Sequence, residues 1–264
     1  MIIKMRYELL DPNKICCFIE PENLSSLSVL DILPTVDSTN SYLMTQAKQG
    51  ARSGAVCLAE QQTKGRGRLG RTWFSPYGTN IYCSLLWRFA MPLQNMSSLS
   101  MVVAVIVANV LQTYGIDHAI QLKWPNDVLI LHRKLAGILL ECDSHSGVVI
   151  GIGLNLNIQA ADEKHWIDLA ELTGQPIERN RLTGLLLNEL LAKLPLYATH
   201  GLQKFLSDWQ KHDVLANKAV TVHTPEQDIQ GIVQGISETG ELLLLNKSGT
   251  LQRFCYGEVS VRYG

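Results

Sequence analysis

The sequence predicts a protein of mixed helices and strands, in which an antiparallel or mixed sheet is followed by a small β-barrel. From Gln121 to Ile158, short apolar strands are separated by short polar turns, unlike the regular strand–helix alternation of parallel sheets. Apolar residues with helical spacing flank this run. After His212, five short strands separated by Gly, Ser and Asn turns follow within about 50 residues, which is typical of a small barrel.

The composition limits the class of protein. A chain of 264 residues with 46% hydrophobic residues can form one large domain, or one domain and a small second one. The formal net charge is −1, so no basic excess indicates broad nucleic-acid binding. The six cysteines include no CxxC pair and no zinc-type spacing, so we expect reduced thiols in a cytoplasmic protein. Because the sequence shows neither a signal peptide nor a stretch of about 20 apolar residues, we expect no membrane association.

Each element has its own signal along the chain. The first 30 residues are expected to be a lead-in segment, because Pro12 and Pro21 interrupt any long helix. A helix is predicted from Asp37 to Gly50, with a side-chain oxygen capping its start and the glycine ending it. Further helices are predicted at 99–114, where the Val and Ile content leaves a strand open, and at 180–194 and 201–211.

The strands are predicted in two groups, with a domain boundary near residue 213. The first group comprises 56–60, 80–88, 121–124, 128–131, 135–141 and 148–158. The second group, which forms the predicted barrel, comprises 219–223, 229–236, 241–245, 251–254 and 258–262.

A glycine- and arginine-rich segment at 65–70 matches the letters GxGxxG. A dinucleotide-binding fold needs a strand directly before this motif and a helix directly after it, whereas here polar residues precede it and Pro76 and Gly78 follow. Four cations lie within 64–71, and this pattern fits either a solvated basic turn or a loop that closes over an anion. Glycines permit close approach of the backbone, and arginines supply forked donors for phosphate and carboxylate oxygens. Trp73 would shield such a ligand from water.

Two further segments carry chemistry. In Lys123-Trp124-Pro125-Asn126-Asp127, the proline fixes a turn that would aim the lysine at phosphate and the aspartate at magnesium. The alternative is an Asx turn with a surface lysine and a core tryptophan. In the strands near 136–137 and 151–153, small residues indicate close approach of a ligand or another backbone, or simply a bulge.

Five motifs in this order resemble those of biotin protein ligases: Asp-Ser-Thr-Asn, Gly-Arg-Gly-Arg-x-Gly-Arg-x-Trp, Lys-Trp-Pro-Asn-Asp, Arg-Lys-Leu-Ala-Gly-Ile-Leu-x-Glu and Gly-x-Gly-x-Asn. The resemblance implies an α+β catalytic domain at 31–213, similar to class II aminoacyl-tRNA synthetases and built on a mixed sheet, and an SH3-like barrel at 214–264, after the lead-in at 1–30. Family members that repress transcription carry an N-terminal winged helix, and only 30 residues precede the match, so we expect no DNA partner.

The implied reaction has two steps. Biotin and MgATP give biotinyl-5′-AMP and pyrophosphate, and a lysine of the biotin carboxyl carrier protein of acetyl-CoA carboxylase then accepts the biotin. The biotin carboxylate must approach the α-phosphate, and two unit charges about 4 Å apart repel by roughly 4 kcal/mol at an effective dielectric constant of 20. Cations must offset this repulsion. The resemblance leaves a homodimer open.

The resemblance also implies roles for individual residues. The catalytic residues would be Lys134 and Arg68, and Asp127 would bind the metal. The biotin site would contain Ser38, Thr39, Asn40, Gln62, Gly65, Arg66, Arg68, Lys134, Gly137 and Gly153. The ATP site would contain Arg66, Arg68, Arg71, Lys123, Asn126, Lys134, Asn155 and Trp166, the last as an adenine-stacking aromatic or, alternatively, a core residue.

Two other functions fit parts of the sequence. A lipoate or octanoate ligase would share the scaffold, but it would not combine the 65–70 loop with Lys-Trp-Pro-Asn-Asp. A nucleic-acid-binding module would use the basic segment 64–71, and the net charge of −1 disfavours it.

Overall fold

The computed structural model describes residues 8–90, 98–142, 147–158, 165–224, 226–255 and 260–263. Within these ranges the strands form a seven-stranded mixed sheet and a five-stranded antiparallel sheet, and the two sheets have no strand in common. The prediction of an antiparallel or mixed sheet is therefore confirmed for the first group of strands.

The seven-stranded sheet has the spatial order β1-β2-β3-β7-β6-β5-β4. Its strands are β1 (Val29–Leu33), β2 (Ala55–Ala59), β3 (Ile81–Arg88), β4 (Ile120–Lys123), β5 (Asp127–Ile130), β6 (Arg133–Cys142) and β7 (Gly147–Leu154). Only β1 and β2 run parallel, and the other neighbours are antiparallel. The sequence did not predict β1, and this strand begins two residues before the expected domain start at residue 31.

The helices of the described chain are α1 (Pro12–Cys16), α2 (Pro21–Leu24), α3 (Thr39–Lys48), α4 (Leu99–Tyr114), α5 (Leu169–Thr173), α6 (Arg179–His200) and α7 (Leu206–His212). Pro12 and Pro21 each begin a short helix, a position at which the missing N–H costs no hydrogen bond. Both helices contact α6. The predicted helix at 201–211 begins instead as a 3₁₀ turn at Gly201–Phe205.

Helix α4 is the centre of the core. The prediction of a helix at 99–114 is correct, and the strand alternative is wrong. Buried side chains lie on every face of α4, as expected for a helix in the centre of a core. The helix contacts the sheet and α6. Gly115, with φ of 104°, ends it in the left-handed conformation that glycine adopts without strain.

Helix α3 begins near the predicted position, but its start is capped in a different way. The Ser38 side chain makes no capping hydrogen bond. Instead, the Thr39 amide donates to Gln62 Oε1 at 2.9 Å, so the cap comes from a residue 23 positions away. Gly50, with φ of 90°, follows the helix end as predicted.

The five-stranded sheet has the order β11-β10-β9-β8-β12. Its strands are β8 (Ala219–His223), β9 (Asp228–Ile236), β10 (Leu242–Asn246), β11 (Leu251–Phe254) and β12 (Ser260–Tyr263). The buried apolar residues of this sheet belong to the same cluster as α4. Trp124 Nε1 donates to the Gly240 carbonyl at 3.0 Å, so the turn after β4 is held against the second sheet.

The structure also bears on the cysteines and on the length of the helices. The six cysteines, all within the described ranges, are free thiols. Among the described residues, the helices are too short or too polar to cross a membrane.

Candidate active site

A cavity of about 250 Å³ lies on the seven-stranded sheet, beneath the loop that joins β2 to β3. The start of α3, the β4–β5 turn, β6, β7 and Val261 of β12 form its other walls. Most of the predicted site residues line it: Ser38, Thr39, Asn40, Gln62, Arg66, Arg68, Arg71, Lys123, Asn126, Asp127, Lys134, Gly137, Gly153 and Trp166. Predicted site residues up to 128 positions apart in sequence therefore share one cavity.

One end of the cavity is polar and buried. Ser38, Thr39 and Asn40 are each less than 5% exposed. Thr39 Oγ1 donates to Gln62 Oε1 at 3.1 Å, and Ser84 Oγ lies 2.7 Å from Thr39 Oγ1. Hydroxyl and amide groups at this end can both donate and accept hydrogen bonds, as a neutral polar ligand with N–H and C=O groups requires.

The basic loop 64–71 is folded as a tight turn above the cavity. Gly67 N donates to the Arg71 carbonyl at 2.7 Å, and a 3₁₀ turn at Arg68–Gly70 places Leu69 at φ of 55°. Arg66 forms an ion pair with Glu141 at 2.8 Å, and Arg68 Nη1 donates to Asn126 Oδ1 at 3.2 Å. The loop is therefore not fully solvated, since Arg66 and Arg68 contact β6 and the β4–β5 turn, although Lys64 and Arg71 are exposed.

The opposite end of the cavity is cationic. Lys134 Nζ lies 2.6 Å from Asp127 Oδ1, and Lys123 is the register partner of Asp127 in the β4–β5 hairpin. Burial lowers the pKa of the Lys123 ammonium, Asp127 raises it, and the nearby cations Lys134, Arg71 and Arg262 lower it further. So many cations around a single carboxylate indicate a site for an anionic ligand.

Between the two ends, Trp73 packs against the strand glycines. Gly137 and Gly153 are register partners on β6 and β7. A Cβ at Gly153 would lie 2.4 Å from the Trp73 indole, and a Cβ at Gly137 would lie 3.1 Å from both Trp73 and Lys134. The two glycines thus make room for the Trp73 indole. The centroids of the Trp73 and Trp166 rings are 6.4 Å apart, so Trp166 is at the cavity and not in the core.

Gly65 and Asn155 do not line the cavity, in contrast to the expectation for the biotin and ATP sites. Gly65 is at the base of the loop, where a Cβ would lie 2.6 Å from the Trp73 carbonyl. Asn155 is 2% exposed, and its amide donates to the carbonyls of Lys134 and Ile167 at 3.2 and 3.3 Å. These contacts indicate that Gly65 and Asn155 shape the segments that carry cavity residues.

Sequence reasoning did not assign a role to three residues of the site. Glu141 stands in a quoted motif, but its partner Arg66 is 75 positions away and nothing in the sequence links them. Ser84 has no sequence signal. Val261 reaches the cavity from the second sheet, and only the fold reveals this placement.

The donor set around Asp127 fits a magnesium–nucleotide complex better than a resident metal ion. No group of three His, Cys, Asp or Glu side chains suited to a metal occurs in the parts of the chain that the structure describes. Mg²⁺ in nucleotide sites is commonly held by one or two carboxylates together with phosphates and water. A single carboxylate beside several cations matches that pattern.

Comparisons with known proteins identify the family. A model of the biotin/lipoate A/B protein ligase family matches residues 32–157, and a model of the biotin protein ligase C-terminal domain matches 216–262. The bifunctional ligase/repressor BirA of Escherichia coli (strain K12) is 40% identical over 239 residues, which cover 88% of this chain and 73% of that protein. The chain belongs to the biotin protein ligase family.

Other relatives agree with this assignment. The biotin–[acetyl-CoA-carboxylase] ligase of Mycobacterium tuberculosis is 36% identical over 222 residues, or 81% of this chain and 82% of that protein. The biotin protein ligase from Aquifex aeolicus, solved in complex with biotin and ATP, superposes with a TM-score of 0.78 at 29% identity and covers 90% of this chain and 100% of its own. Neither a lipoate ligase nor a nucleic-acid-binding module is favoured by these matches.

Proposed function

We propose that this chain is an ATP-dependent biotin protein ligase, which forms biotinyl-5′-AMP and then transfers the biotin to a lysine of a carboxyl carrier protein. The observation that carries the proposal is a single cavity with a buried, neutral polar end and a cationic end. Biotin has a matching division, because its ureido head is neutral and its carboxylate is charged. The biotin protein ligases among its relatives support the same reaction.

At the polar end, the ureido group would be bound by Ser38, Thr39, Asn40 and Gln62. Its carbonyl needs donors and its two N–H groups need acceptors, and hydroxyl and amide side chains offer both. The valeryl chain would pass along the Trp73 indole, which lies between the two ends of the cavity. The carboxylate would then point toward Lys134 and Arg68.

At the cationic end, Lys134 would lie between the biotin carboxylate and the α-phosphate. Lys123, Arg71 and Asn126 would contact the phosphates, and Trp166 would stack on the adenine. Magnesium, when bound with ATP at Asp127, supplies positive charge to the phosphates. Because these groups are fixed before the reaction, they would stabilise the charge that develops as the carboxylate attacks phosphorus and pyrophosphate leaves.

In the second step, the neutral amine of the acceptor lysine attacks the acyl carbon of biotinyl-5′-AMP. The new C–N bond forms, the C–O bond to the phosphate breaks, AMP leaves, and the amine loses one proton. We infer that the acceptor is the biotin carboxyl carrier protein of acetyl-CoA carboxylase. The name of the relative from M. tuberculosis gives acetyl-CoA carboxylase as its substrate.

We further infer finer features of the fold. The mixed sheet with its helices is consistent with a domain at 31–213 similar to class II aminoacyl-tRNA synthetases, and the five antiparallel strands are consistent with an SH3-like barrel at 214–264, after a lead-in at 1–30. Cytoplasmic location and the absence of a DNA partner stay predictions.

Mass spectrometry of an acceptor domain tests the proposed function. A biotin carrier domain is incubated with this protein, biotin and MgATP, and the expected result is a gain of one biotin on one lysine. Parallel reactions without ATP should leave the domain unchanged. Labelling of a lipoyl domain with lipoate or octanoate, and none of the biotin carrier domain, would instead identify the other branch of the superfamily.

A further inference from the structure

The carboxylate of Glu141, near the end of β6, connects two parts of the cavity. Its two oxygens accept hydrogen bonds from Arg66 Nη2 at 2.9 and 2.8 Å, and Oε2 also accepts one from Asn40 Nδ2 at 2.7 Å. Arg66 belongs to the basic loop, whereas Asn40 is in the first turn of α3. Glu141 therefore joins the loop to the polar end of the cavity.

The contacts of Asn40 continue toward the polar end. Asn40 Oδ1 lies 2.6 Å from Ser84 Oγ, which is 2.7 Å from Thr39 Oγ1. A Cβ at Gly151 would lie 2.3 Å from Asn40 Oδ1, so this amide is seated against a strand that has no side chain there. A continuous series of polar contacts within hydrogen-bond distance thus runs from Glu141 to Thr39.

The contacts of Arg66 fix the root of the loop. Besides its bonds to Glu141, Arg66 donates from Nη1 to Ser41 Oγ at 2.7 Å. These partners belong to α3 and β6, which form the body of the domain. Two positions further along, Arg68 reaches Asn126 on the β4–β5 turn. The loop consequently has an anchor at Arg66 and a contact across the cavity at Arg68.

Only an acceptor group satisfies this arrangement. Three hydrogen bonds arrive at the Glu141 carboxylate, two from a guanidinium and one from an amide N–H. An ionised carboxylate has acceptors on both oxygens, whereas a glutamine at this position would turn an NH₂ group toward Arg66 or Asn40, which are themselves donors. The Arg66 guanidinium reaches both Glu141 oxygens with Nη2 and Ser41 with Nη1, so its orientation is fixed as well as its distance.

We propose that Glu141 is a positioning residue of the ligase, which anchors the loop that retains biotinyl-5′-AMP through Arg66 and orients the biotin-binding hydroxyl of Thr39 through Asn40 and Ser84. The inference rests on the proposed function. It also changes the role of Arg66, which was expected to contact biotin and ATP and here acts as the loop anchor.

The test compares Glu141→Gln with Glu171→Gln. Glu171 accepts two hydrogen bonds from Arg133, a matched Arg–Glu pair whose residues do not line the cavity. Three quantities are measured: the KM for biotin, the KM for ATP, and the rate at which biotinyl-5′-AMP escapes from the protein. Loss of a hydrogen bond to a charged group commonly changes an equilibrium by about tenfold or more. Glu141→Gln should therefore raise the KM for biotin and the escape rate about tenfold, with little change in the KM for ATP.

Glu171→Gln should leave all three quantities at their wild-type values. The inference is overturned if Glu141→Gln behaves like Glu171→Gln, or if it lowers the melting temperature while both the KM for biotin and the escape rate stay unchanged. A wild-type protein that releases no pyrophosphate in the presence of biotin and MgATP would instead contradict the proposed function, so the two failures are distinct.

A double-mutant cycle separates the two arms. Arg66→Met should speed the escape of biotinyl-5′-AMP with a smaller change in the KM for biotin, and adding Glu141→Gln to it should speed escape no further. Additive effects on escape would contradict the anchor. If Glu141→Gln does not fold, Arg66→Lys tests the same arm, because it keeps the charge but loses the forked geometry. Escape at the wild-type rate in that variant would overturn the proposal.

Discussion

Two groups of ion pairs in this molecule differ in burial and in what they hold. Arg179 and Glu60 form a pair at 2.8 Å, with side chains 4% and 5% exposed. At the cavity itself, the Lys134–Asp127 side chains are 27% and 22% exposed, and the Arg66–Glu141 side chains are 33% and 29% exposed. The same pairing chemistry therefore occurs in two environments.

The buried pair joins segments that are far apart in sequence. Glu60 follows β2 and accepts the Leu10 amide at 2.7 Å, while Arg179 at the start of α6 donates to the Asn80 carbonyl at 2.9 Å. Asn80 Oδ1 in turn accepts the Leu156 amide at 2.9 Å. We call these residues, Leu10, Glu60, Asn80, Leu156 and Arg179, the buried junction.

The difference in burial separates the ion pair that supports the fold from the ion pairs that serve the cavity. Breaking the buried junction leaves a charge without a partner in a medium that solvates it poorly, so the junction is suited to holding segments together. The pairs at the cavity are partly solvated, and a carboxylate or phosphate of a ligand can replace Asp127 beside Lys134 at little cost. Burial, more than pairing, distinguishes the ion pair that holds the fold from the pairs that serve the cavity, either at the ligand or at the loop.

The largest expected effect is on the buried junction. Arg179→Met should lower the free energy of unfolding by about 3–5 kcal/mol, because Glu60 would stay buried without its partner. The matched control is Arg181→Met on the same helix, where an exposed pair with Glu178 at 3.0 Å is worth at most about 1 kcal/mol. Urea denaturation measures both values, and equal losses in the two variants would remove the contrast in burial.

The next effect is on catalysis at the cavity. Lys134→Ala should slow biotinyl-5′-AMP formation by about 10²- to 10³-fold, because a fixed positive charge between carboxylate and phosphate is lost. Transfer from preformed biotinyl-5′-AMP should change much less. Single-turnover pyrophosphate release and transfer from synthetic biotinyl-5′-AMP compare the two steps. Equal losses would mean that Lys134 has only a structural or general binding role, and Lys134→Arg should rescue adenylation in part.

A third variant tests the packing between the two ends of the cavity. Gly153→Ala places a Cβ 2.4 Å from the Trp73 indole. Overpacking of this kind commonly lowers the free energy of unfolding by about 1–3 kcal/mol. The variant should bind biotin more weakly, as measured by calorimetry. In a Trp73→Ala background the clash is absent, so adding Gly153→Ala should cost little more. A full additional loss there would show that the glycine serves the ligand directly.

The smallest effect concerns pH. Burial lowers the pKa of Lys123 from its ordinary value of 10.5, so its charge is present below the lowered pKa and is lost as the pH rises through it. The KM for ATP should therefore rise by about fivefold at alkaline pH, the difference between a charge-assisted and a neutral hydrogen bond. Lys123→Arg stays charged over this range and should lack the rise. If the KM for ATP still rises at alkaline pH in Lys123→Arg, the titrating group is a different one.

Local patterns made part of this site predictable. The β4–β5 hairpin was predicted correctly because Lys123, Pro125 and Asp127 are neighbours in sequence and the proline signals the turn. Helix α4 followed from a long apolar run that ends at a glycine. In both cases the residues that determine the structure are adjacent in the chain.

Contacts between distant segments were not predictable in the same way. The like charges of the basic loop indicate repulsion when read alone, and the compensating Glu141 is 75 positions from Arg66. The cap of α3 comes from Gln62 and not from Ser38. Strand β1 was missed because its five residues include Asp31, which interrupts an apolar run that is already short.

Hydrogen–deuterium exchange with and without a non-hydrolysable analogue of biotinyl-5′-AMP tests the central contrast most directly. The amides of Gly67 and Trp73, which bond within the loop segment, should exchange at least about tenfold more slowly when the analogue is bound, because the ligand ties the loop down. The amides of Leu10 and Leu156 at the buried junction should exchange at the same rate in both states. If the analogue slows exchange equally in the loop and in the buried junction, or does not slow it in the loop, the division between the cavity pairs and the junction is contradicted.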